Sequence, residues 1–189
     1  MVVQDYPDIY LLRHGQTVWN REGRLQGLLD SPLTDLGRQQ ARRQARLLAG
    51  LPECAQRISS PLGRAEATAR IVFGDDAFRR DARVQEIDIG RFTGQPEAAL
   101  RSAHPAIFAG WDLDWYDRAP GGEHFAGLRS RVQAFLKDLD GPAIIVTHGI
   151  ALRMLRLIAL GLPDAQLGQM PVLQGAVHVV RGGRHHILY

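Results

Sequence analysis

The sequence contains little cysteine and almost no lysine, and each scarcity restricts what the chain can be. Cys54 is the only cysteine, which excludes a disulfide framework or a thiolate metal cluster within one chain and fits a reducing, cytoplasmic compartment. Lys137 is the only lysine among 23 basic residues, and 20 acidic residues leave a net charge of +3. So small a surplus does not indicate a nucleic-acid partner.

Long apolar runs are missing as well. The N-terminus, Met1 to Asp5, lacks the basic start and extended apolar stretch of a targeting signal, and the apolar runs elsewhere are far shorter than a membrane span. We therefore expect a cytoplasmic protein with no membrane partner. Its 189 residues, 45% hydrophobic and 23% charged, are typical of one globular domain, predicted to cover residues 1–189.

Short apolar segments alternate with amphipathic ones along the chain. The pattern predicts strands at residues 9–12, 56–59, 83–86, 143–146, 176–180 and 185–188. It predicts helices at residues 35–49, 61–72, 96–103 and 149–160, and one more that carries Leu128, Val132, Phe135, Leu136 and Leu139. This alternation predicts an α/β fold, a three-layer α/β/α sandwich with a mainly parallel central sheet. Residues 95–125 are predicted to form a specificity or lid excursion, irregular from 110 to 123.

Three segments with chemically active side chains each follow a predicted strand. They are His14, residues 59–64 and His148. Because ligands bind beyond the carboxyl ends of the strands in such sheets, we expect these segments to lie close together. In the second segment, Ser60 and Pro61 are predicted to supply the N-cap and the first-turn proline of a helix that begins near Arg64.

A set of short motifs runs in order through nearly the whole chain. The motifs are Arg13-His14-Gly15-Gln16-Thr17, Trp19-Asn20, Gly23-Arg24-Leu25-Gln26-Gly27, Pro32-Leu33-Thr34, Ser59-Ser60-Pro61-Leu62-Gly63-Arg64-Ala65, Thr68-Ala69, Glu86 ahead of Gly90 and Gly94, and Thr147-His148-Gly149. Together they resemble the signature of the histidine phosphatase superfamily, which is also called phosphoglycerate-mutase-like. The ordered set is far more specific than any one motif. The resemblance implies a phosphoglycerate-mutase-like fold and a histidine, here His14, that accepts a phosphoryl group.

Phosphoryl transfer explains why these residue types occur together. The transferred group carries negative charge on three oxygens, so catalysis depends on positioning and on charge stabilisation. The planar guanidinium groups of Arg13 and Arg64 can each hold two phosphate oxygens, and His148 adds a third cationic donor if it is protonated. Neutral His14 offers a nucleophilic ring nitrogen at cellular pH. We expect Gly15 to leave room for the phosphoryl group.

The resemblance implies further contacts around the nucleophile. The second ring nitrogen of His14 is expected to bond to a backbone carbonyl, which fixes the tautomer. Phosphate contacts are assigned to Asn20 and to backbone N–H groups near Gly149, at the N-terminus of a helix. Gln26 and Gly27 are predicted to contact phosphate or substrate.

One carboxylate has to protonate the leaving alkoxide and then deprotonate the attacking water. Glu86 matches the acid–base glutamate of the family. Asp88 lies close behind it, and a strand or a bend could exchange which of the two carboxylates faces the pocket. We predict Glu86 and keep Asp88 as the alternative.

These features predict a phosphomonoester hydrolase, a metal-independent phosphatase of the histidine acid phosphatase type that acts on a small phosphorylated metabolite without a cofactor. No two histidines have the i, i+4 spacing of a helical zinc site. The alternatives are a cofactor-dependent phosphoglycerate mutase and a catalytically inactive binding scaffold. The short chain, whose last predicted strand ends beside Tyr189, argues against the mutase, and the complete catalytic set argues against the scaffold. The substrate and the oligomeric state stay open.

Overall fold

The computed structural model describes residues 6–49 and 56–189, so the predictions on Cys54 and on residues 1–5 lie outside the described residues. A six-stranded sheet forms its centre, built from β1 (Ile9–Arg13), β2 (Gln56–Ser59), β3 (Arg79–Arg80), β4 (Ala143–Thr147), β5 (Val177–Arg181) and β6 (Arg184–Leu188). The strand order is β3-β2-β4-β1-β5-β6. The first four strands in this order are parallel, and β5 and β6 are antiparallel additions at one edge. The predicted mainly parallel sheet is therefore confirmed.

Helices cover both faces of the sheet. They are α1 (Val18–Arg21), α2 (Asp35–Leu47), α3 (Gly63–Phe73), α4 (Glu97–Ala103), α5 (Trp115–Arg118), α6 (His124–Lys137) and α7 (Gly149–Ala159). Side chains alternate along β1, as a strand requires. Tyr10 and Leu12 pack with α2 and α3 on one face, whereas Ile9 and Leu11 pack with α6 and α7 on the other. The predicted three-layer architecture is confirmed.

The parallel strands bring the three predicted active segments together at the carboxyl ends of β1, β2 and β4. In register, Arg13 at the end of β1 lies beside Thr147 at the end of β4. The backbone N–H of His14 donates to the carbonyl of Thr147 at 2.9 Å, and that of Ser60 donates to the carbonyl of Val146 at 2.9 Å. The loops that carry His14, Ser60 and the residue after Thr147 therefore start from neighbouring positions.

The predicted strand at residues 83–86 is wrong. Ala82–Val84 form a 3-10 turn, and the edge strand of the sheet is instead the short β3, Arg79–Arg80. Arg131 of α6 explains the difference, because its guanidinium donates to three carbonyls of this segment, at positions 83, 85 and 86, over 2.7 to 3.0 Å. These carbonyls have their partners in a side chain and need no neighbouring strand.

The predicted start of α3 is also wrong. The helix begins at Gly63, so Ser60 is not its N-cap and Pro61 is not in its first turn. The carboxylate of Asp30 takes over the capping role, because it accepts from the N–H groups of Gly63 at 2.7 Å and Arg64 at 3.1 Å. A cap supplied from a distant loop leaves no local signal in the sequence.

The length and hydrophobicity of the helices are relevant to the predicted absence of a membrane partner. Within residues 6–49 and 56–189, no helix is both long enough and apolar enough to cross a bilayer.

Candidate active site

His14 is held in one tautomer by the backbone. The side chain is only 3% exposed, and its Nδ1 lies 2.8 Å from the carbonyl oxygen of Gly15. A carbonyl oxygen only accepts, so Nδ1 carries the proton, and Nε2 keeps its lone pair. The buried amide of Gln44 ties down the start of this loop by donating to the carbonyls of Arg13 and Ala176, each at 3.0 Å. Nε2 of His14 is therefore held in place with a free lone pair, as a nucleophile would require.

The electrostatic surroundings keep His14 uncharged. Burial lowers the pKa of His14 well below 6.5, and the positive charges of Arg64 and Arg13 lower it further. A neutral imidazole is the form that can attack phosphorus. The arginines that would hold an anionic substrate thus also keep the nucleophile in its reactive state.

The expected role of Gly15, to leave room for the phosphoryl group, is not what its surroundings indicate. A Cβ atom on Gly15 would overlap the backbone carbonyl of Gly37 in α2. A Cβ atom on Gly37 would in turn overlap the backbone of Gln16. Glycine at both positions lets the first turn of α2 pack directly against the loop after His14, so Gly15 serves helix packing.

Arg64 and Arg13 line one pocket together with His14. Arg64 is 2% exposed, and its terminal nitrogens donate to the carbonyls of Leu29 at 2.7 Å and Gly27 at 2.8 Å and to Asp30 at 3.0 Å. Its Nε, like the Nε of Arg13, is buried and has no hydrogen-bond partner in the described part of the chain. Buried donors of this kind cost free energy unless they are bound, and a phosphate would bind them.

His148 lies beside the nucleophile, with the two ring centroids 5.2 Å apart. Burial, reinforced by the charge of Arg64, lowers its pKa well below 6.5, so the cationic form considered from the sequence is not the one present at neutral pH. Nε2 lies 2.7 Å from the hydroxyl of Ser60, while Nδ1 is buried and has no partner among the described residues. If Ser60 donates to Nε2, the proton of His148 lies on Nδ1, where it can bind an anion.

The structure separates the two candidate carboxylates. Glu86 lines the pocket with His14, whereas Asp88 is absent from that lining and accepts from the N–H of Gly90 in a turn, at 2.8 Å. Glu86 is also fixed by α7, since its carboxylate accepts from the N–H groups of Ile150 at 3.2 Å and Ala151 at 3.1 Å. Of the two, Glu86 is therefore the one that shares the pocket with His14.

The N-terminus of α7 was predicted to contact phosphate near Gly149. Two of its N–H groups, at positions 150 and 151, bind the Glu86 carboxylate, and the contact of Gly149 with phosphate stays a prediction. A Cβ atom on Gly149 would lie 3.6 Å from Glu86 Oε2 and 3.8 Å from the guanidinium of Arg13, so this residue lies beside both side chains. The helix end therefore positions the Glu86 carboxylate, a use of the helix dipole that the motifs alone did not indicate.

Asn20, Gln26 and Gly27 all line the same pocket. The side-chain oxygen of Asn20 accepts from the N–H of Thr17 at 3.2 Å, which leaves its amide NH₂ group as a donor. Gln26 is 8% exposed, and its Oε1 is a buried acceptor without a partner among the described residues. Gly27 has φ of +50°, and its carbonyl binds Arg64. The structure thus brings every predicted site residue into or beside one cavity.

Sequence reasoning missed three polar side chains of the pocket lining. Arg24 comes from the loop after α1 and Glu97 from the start of α4, and the two segments pair, since the N–H of Glu97 donates to the carbonyl of Gly23 at 3.0 Å. Tyr116 of α5 lines the pocket from a third direction. Arg24 lay within a quoted motif, but only the folded chain shows that it shares a cavity with Tyr116.

No metal centre is indicated by the side chains that the structure describes. Among residues 6–49 and 56–189, no group of three or more His, Cys, Asp or Glu side chains is placed to hold a metal ion. The positive charge around His14 comes from arginine.

The chain is similar in sequence and in structure to known proteins. The family model of the histidine phosphatase superfamily (branch 1) matches residues 9–187. A protein of Enterobacter sp. (strain 638), named probable phosphoglycerate mutase GpmB, is 39% identical over 168 residues, which cover 82% of this chain and 75% of that protein. Bacillus stearothermophilus YhfR superposes with a TM-score of 0.79 at 34% identity, over 96% of this chain and 95% of that chain. A mycobacterial glucosyl-3-phosphoglycerate phosphatase superposes with a TM-score of 0.78 at 28% identity, over 96% of each chain.

Proposed function

The chain belongs to the histidine phosphatase superfamily, branch 1, and from this we propose that it is a metal-independent phosphomonoester hydrolase that passes a phosphoryl group through His14 to water. The observation that carries the proposal is the fixed tautomer of His14, whose Nδ1 is bonded to the carbonyl of Gly15. It leaves Nε2 as a neutral nucleophile among phosphate-binding donors. Structural relatives titled as phosphatases support the same reaction class.

In the first step, Nε2 of His14 attacks phosphorus in line with the leaving oxygen. The bond from phosphorus to that oxygen breaks, and the carboxyl group of Glu86 gives its proton to the leaving alkoxide, which departs as an alcohol. Arg13 and Arg64 stabilise the charge on the three equatorial oxygens. The product of this step is a phosphohistidine and a Glu86 carboxylate.

In the second step, water attacks the phosphorus of the phosphohistidine. Glu86 now accepts the proton of the water, the bond between phosphorus and Nε2 breaks, and inorganic phosphate leaves. The carbonyl of Gly15 holds the proton on Nδ1 throughout, so the imidazole returns to the tautomer that it started with. The cycle therefore needs no second histidine as base.

Trapping the intermediate tests this mechanism directly. We expect brief reaction with a ³²P-labelled phosphomonoester to leave acid-labile, base-stable label on the protein, mapped by peptide sequencing to His14. His14→Ala should lose both label and turnover, while His104→Ala, which changes an exposed histidine, should keep both. Label on another residue, or turnover without His14, would refute the proposal.

A second function is favoured by one comparison, since the Enterobacter relative carries a mutase name. A mutase would return the phosphoryl group to the substrate through a bisphosphate and would have to keep water from the phosphohistidine. With 3-phosphoglycerate and a 2,3-bisphosphoglycerate primer, we expect inorganic phosphate to form and little 2-phosphoglycerate. Primer-dependent interconversion faster than phosphate release would establish the mutase instead.

A further inference from the structure

The pocket divides into two parts of different chemistry. The inner part contains the phosphate-binding arginines and His14. The outer part is lined by Arg24, Gln26, Glu97 and Tyr116, with Leu25 and Ile89 as its apolar members. In the proposed reaction, which this inference takes as its premise, the phosphoryl group occupies the inner part, so the outer part has to receive the leaving alcohol.

Tyr116 offers a hydrogen-bond donor to that alcohol. Its ring is fixed by stacking on Trp115 at a centroid distance of 3.7 Å, and Trp115 itself is only 4% exposed. Burial raises the pKa of the Tyr116 hydroxyl, and the nearby charge of Glu86 raises it further, so the phenol stays protonated at neutral pH. The hydroxyl forms no hydrogen bond within the described residues, although the ring is rigidly held in the pocket wall.

Gln26 and Glu97 offer acceptors on the other side. Gln26 is only 8% exposed, and its Oε1 atom is buried without a partner in the described part of the chain. Glu97 is bonded through Oε1 to the exposed Arg101 at 2.8 Å, and its carboxylate also lines the pocket. A buried acceptor that lacks a donor in the protein is stabilised when a ligand hydroxyl supplies one.

The outer part also contains two charged side chains. Arg24 contributes one positive charge, held over the ring of Trp19 at 5.2 Å and bonded to the carbonyl of Gly94 at 3.0 Å, and its Nε is a buried donor without a partner in the described part of the chain. Glu97 contributes one negative charge and is paired with Arg101 Nη2 at 2.7 Å. Together with the fixed phenol of Tyr116 and the Oε1 atom of Gln26, the outer part thus offers donors and acceptors that the hydroxyl groups of a ligand can satisfy.

The size of the pocket restricts the ligand further. Its volume is about 220 Å³, below the roughly 300 Å³ at which pockets for drug-sized ligands begin, and the phosphoryl group takes part of it. We infer that the outer part of the pocket selects small phosphomonoesters whose leaving alcohol carries further hydroxyl groups, with Tyr116 as donor and Gln26 and Glu97 as acceptors. Short polyol phosphates are the class that fits.

Binding to the unreactive His14→Ala protein tests the inference without relying on turnover. Glycerol 3-phosphate and n-propyl phosphate share a three-carbon chain and differ in two hydroxyl groups. By titration calorimetry we expect glycerol 3-phosphate to bind about tenfold to a hundredfold more tightly, because the apolar analogue leaves the outer polar groups unpaired. Adding Tyr116→Phe or Glu97→Gln should reduce this ratio about tenfold, whereas Tyr189→Phe and Glu22→Gln, at exposed positions outside the pocket lining, should not.

Two results would overturn the inference. Equal affinity for glycerol 3-phosphate and n-propyl phosphate would show that the outer part does not recognise hydroxyl groups. Binding of 3-phosphoglycerate about tenfold tighter than glycerol 3-phosphate would show that Arg24 makes the outer part a site for a second anion rather than for hydroxyl groups. Affinity ratios depend neither on the folded fraction nor on turnover, so hydrolysis by the wild-type protein tests the proposed function separately. A preference for hydroxylated ligands without His14-dependent turnover would refute the phosphatase and keep the inference.

Discussion

The buried histidines make the stability of the protein depend on pH above the range in which its carboxylates titrate. His14, His148 and His178 are each at most 3% exposed. Burial and neighbouring arginines lower the pKa of His14 and His148 well below 6.5 and that of His178 to about 3. As the pH falls below 6.5, the unfolded chain therefore binds protons that the folded chain does not. Stability is full above pH 6.5 and is lost on acidification.

The size of this effect follows from proton linkage. Burial, reinforced by the charge of Arg156, also lowers the pKa of the half-buried His185 to about 4. Each histidine that is protonated only in the unfolded state contributes a slope of up to about 1.4 kcal/mol per pH unit, so these four give a ceiling of about 5.5 kcal/mol per pH unit. Solvent relaxation around buried groups reduces such values, and we expect about 2 kcal/mol per pH unit between pH 6 and 5.

Among the described residues, two carboxylates have lowered pKa values, and both act below this window. Burial raises the pKa of Asp81, but hydrogen bonds from Arg83 outweigh it and lower the pKa from 3.8 to about 2, so this contribution to stability is lost as the pH falls through that lower range. The pKa of Glu66, lowered from 4.5 to about 2 by hydrogen bonds from Arg80 and Arg70, acts in the same way.

Urea denaturation followed by tryptophan fluorescence at several pH values between 7.5 and 5 measures the slope. His178→Gln should remove about a quarter of it, and His104→Gln, at an exposed position, should leave it unchanged. A free energy of unfolding that stays constant or rises on acidification through this range would refute the account of these histidines as neutral, buried groups.

Three further predictions concern the site. Glu86→Gln should slow alkyl phosphates about a hundredfold more than aryl phosphates, whose leaving groups need little protonation, and Asp88→Asn, the matched control, should not show this selectivity in steady-state kinetics. Turnover should survive exhaustive treatment with EDTA, and loss that added metal restores would contradict the arginine-based mechanism. Asp30→Ala should lower kcat/KM about tenfold and the free energy of unfolding by about 1 kcal/mol, because Asp30 caps α3 and bonds to Arg64. Asp75→Ala, which changes an exposed acid outside the helices, should change neither measurably.

The inner part of the pocket could be predicted from the sequence because its residues follow strands of a parallel sheet. The carboxyl ends of parallel strands lie at the same end of a sheet, so the motif positions after β1, β2 and β4 lie close together. This proximity does not depend on how the connecting helices pack. The sequence motifs and the sheet rule gave the same answer for His14, Arg64 and His148. Agreement between a local pattern and a topological rule made this part of the prediction robust.

The supporting contacts could not be predicted, since each joins distant positions without a local pattern. Asp30 caps a helix that begins at Gly63. Arg131 donates to the backbone carbonyls at positions 83, 85 and 86 that a neighbouring strand would otherwise bond. Tyr116 lies within residues 110–123, a stretch predicted only to be irregular. Which of these side chains reaches the pocket depends on the path of a long connection, and that path is set by packing against the folded domain.

This division between the two parts of the pocket has a mechanical basis. Glu86 belongs in sequence to the long connection after β3, but its carboxylate is bonded to the N-terminus of α7 and its carbonyl to Arg131 of α6. The Glu86 carboxylate is therefore attached to the helix that follows His148, while Glu97 is held by a hydrogen bond to Gly23 and Tyr116 by stacking on its neighbour. In the proposed reaction, substitutions around Glu97 and Tyr116 would change the alcohol that the pocket accepts while the group proposed to protonate it stays in place. Under this proposal, substrate preference can vary around a fixed group of residues at His14, as is general for sites built on loops of a shared fold.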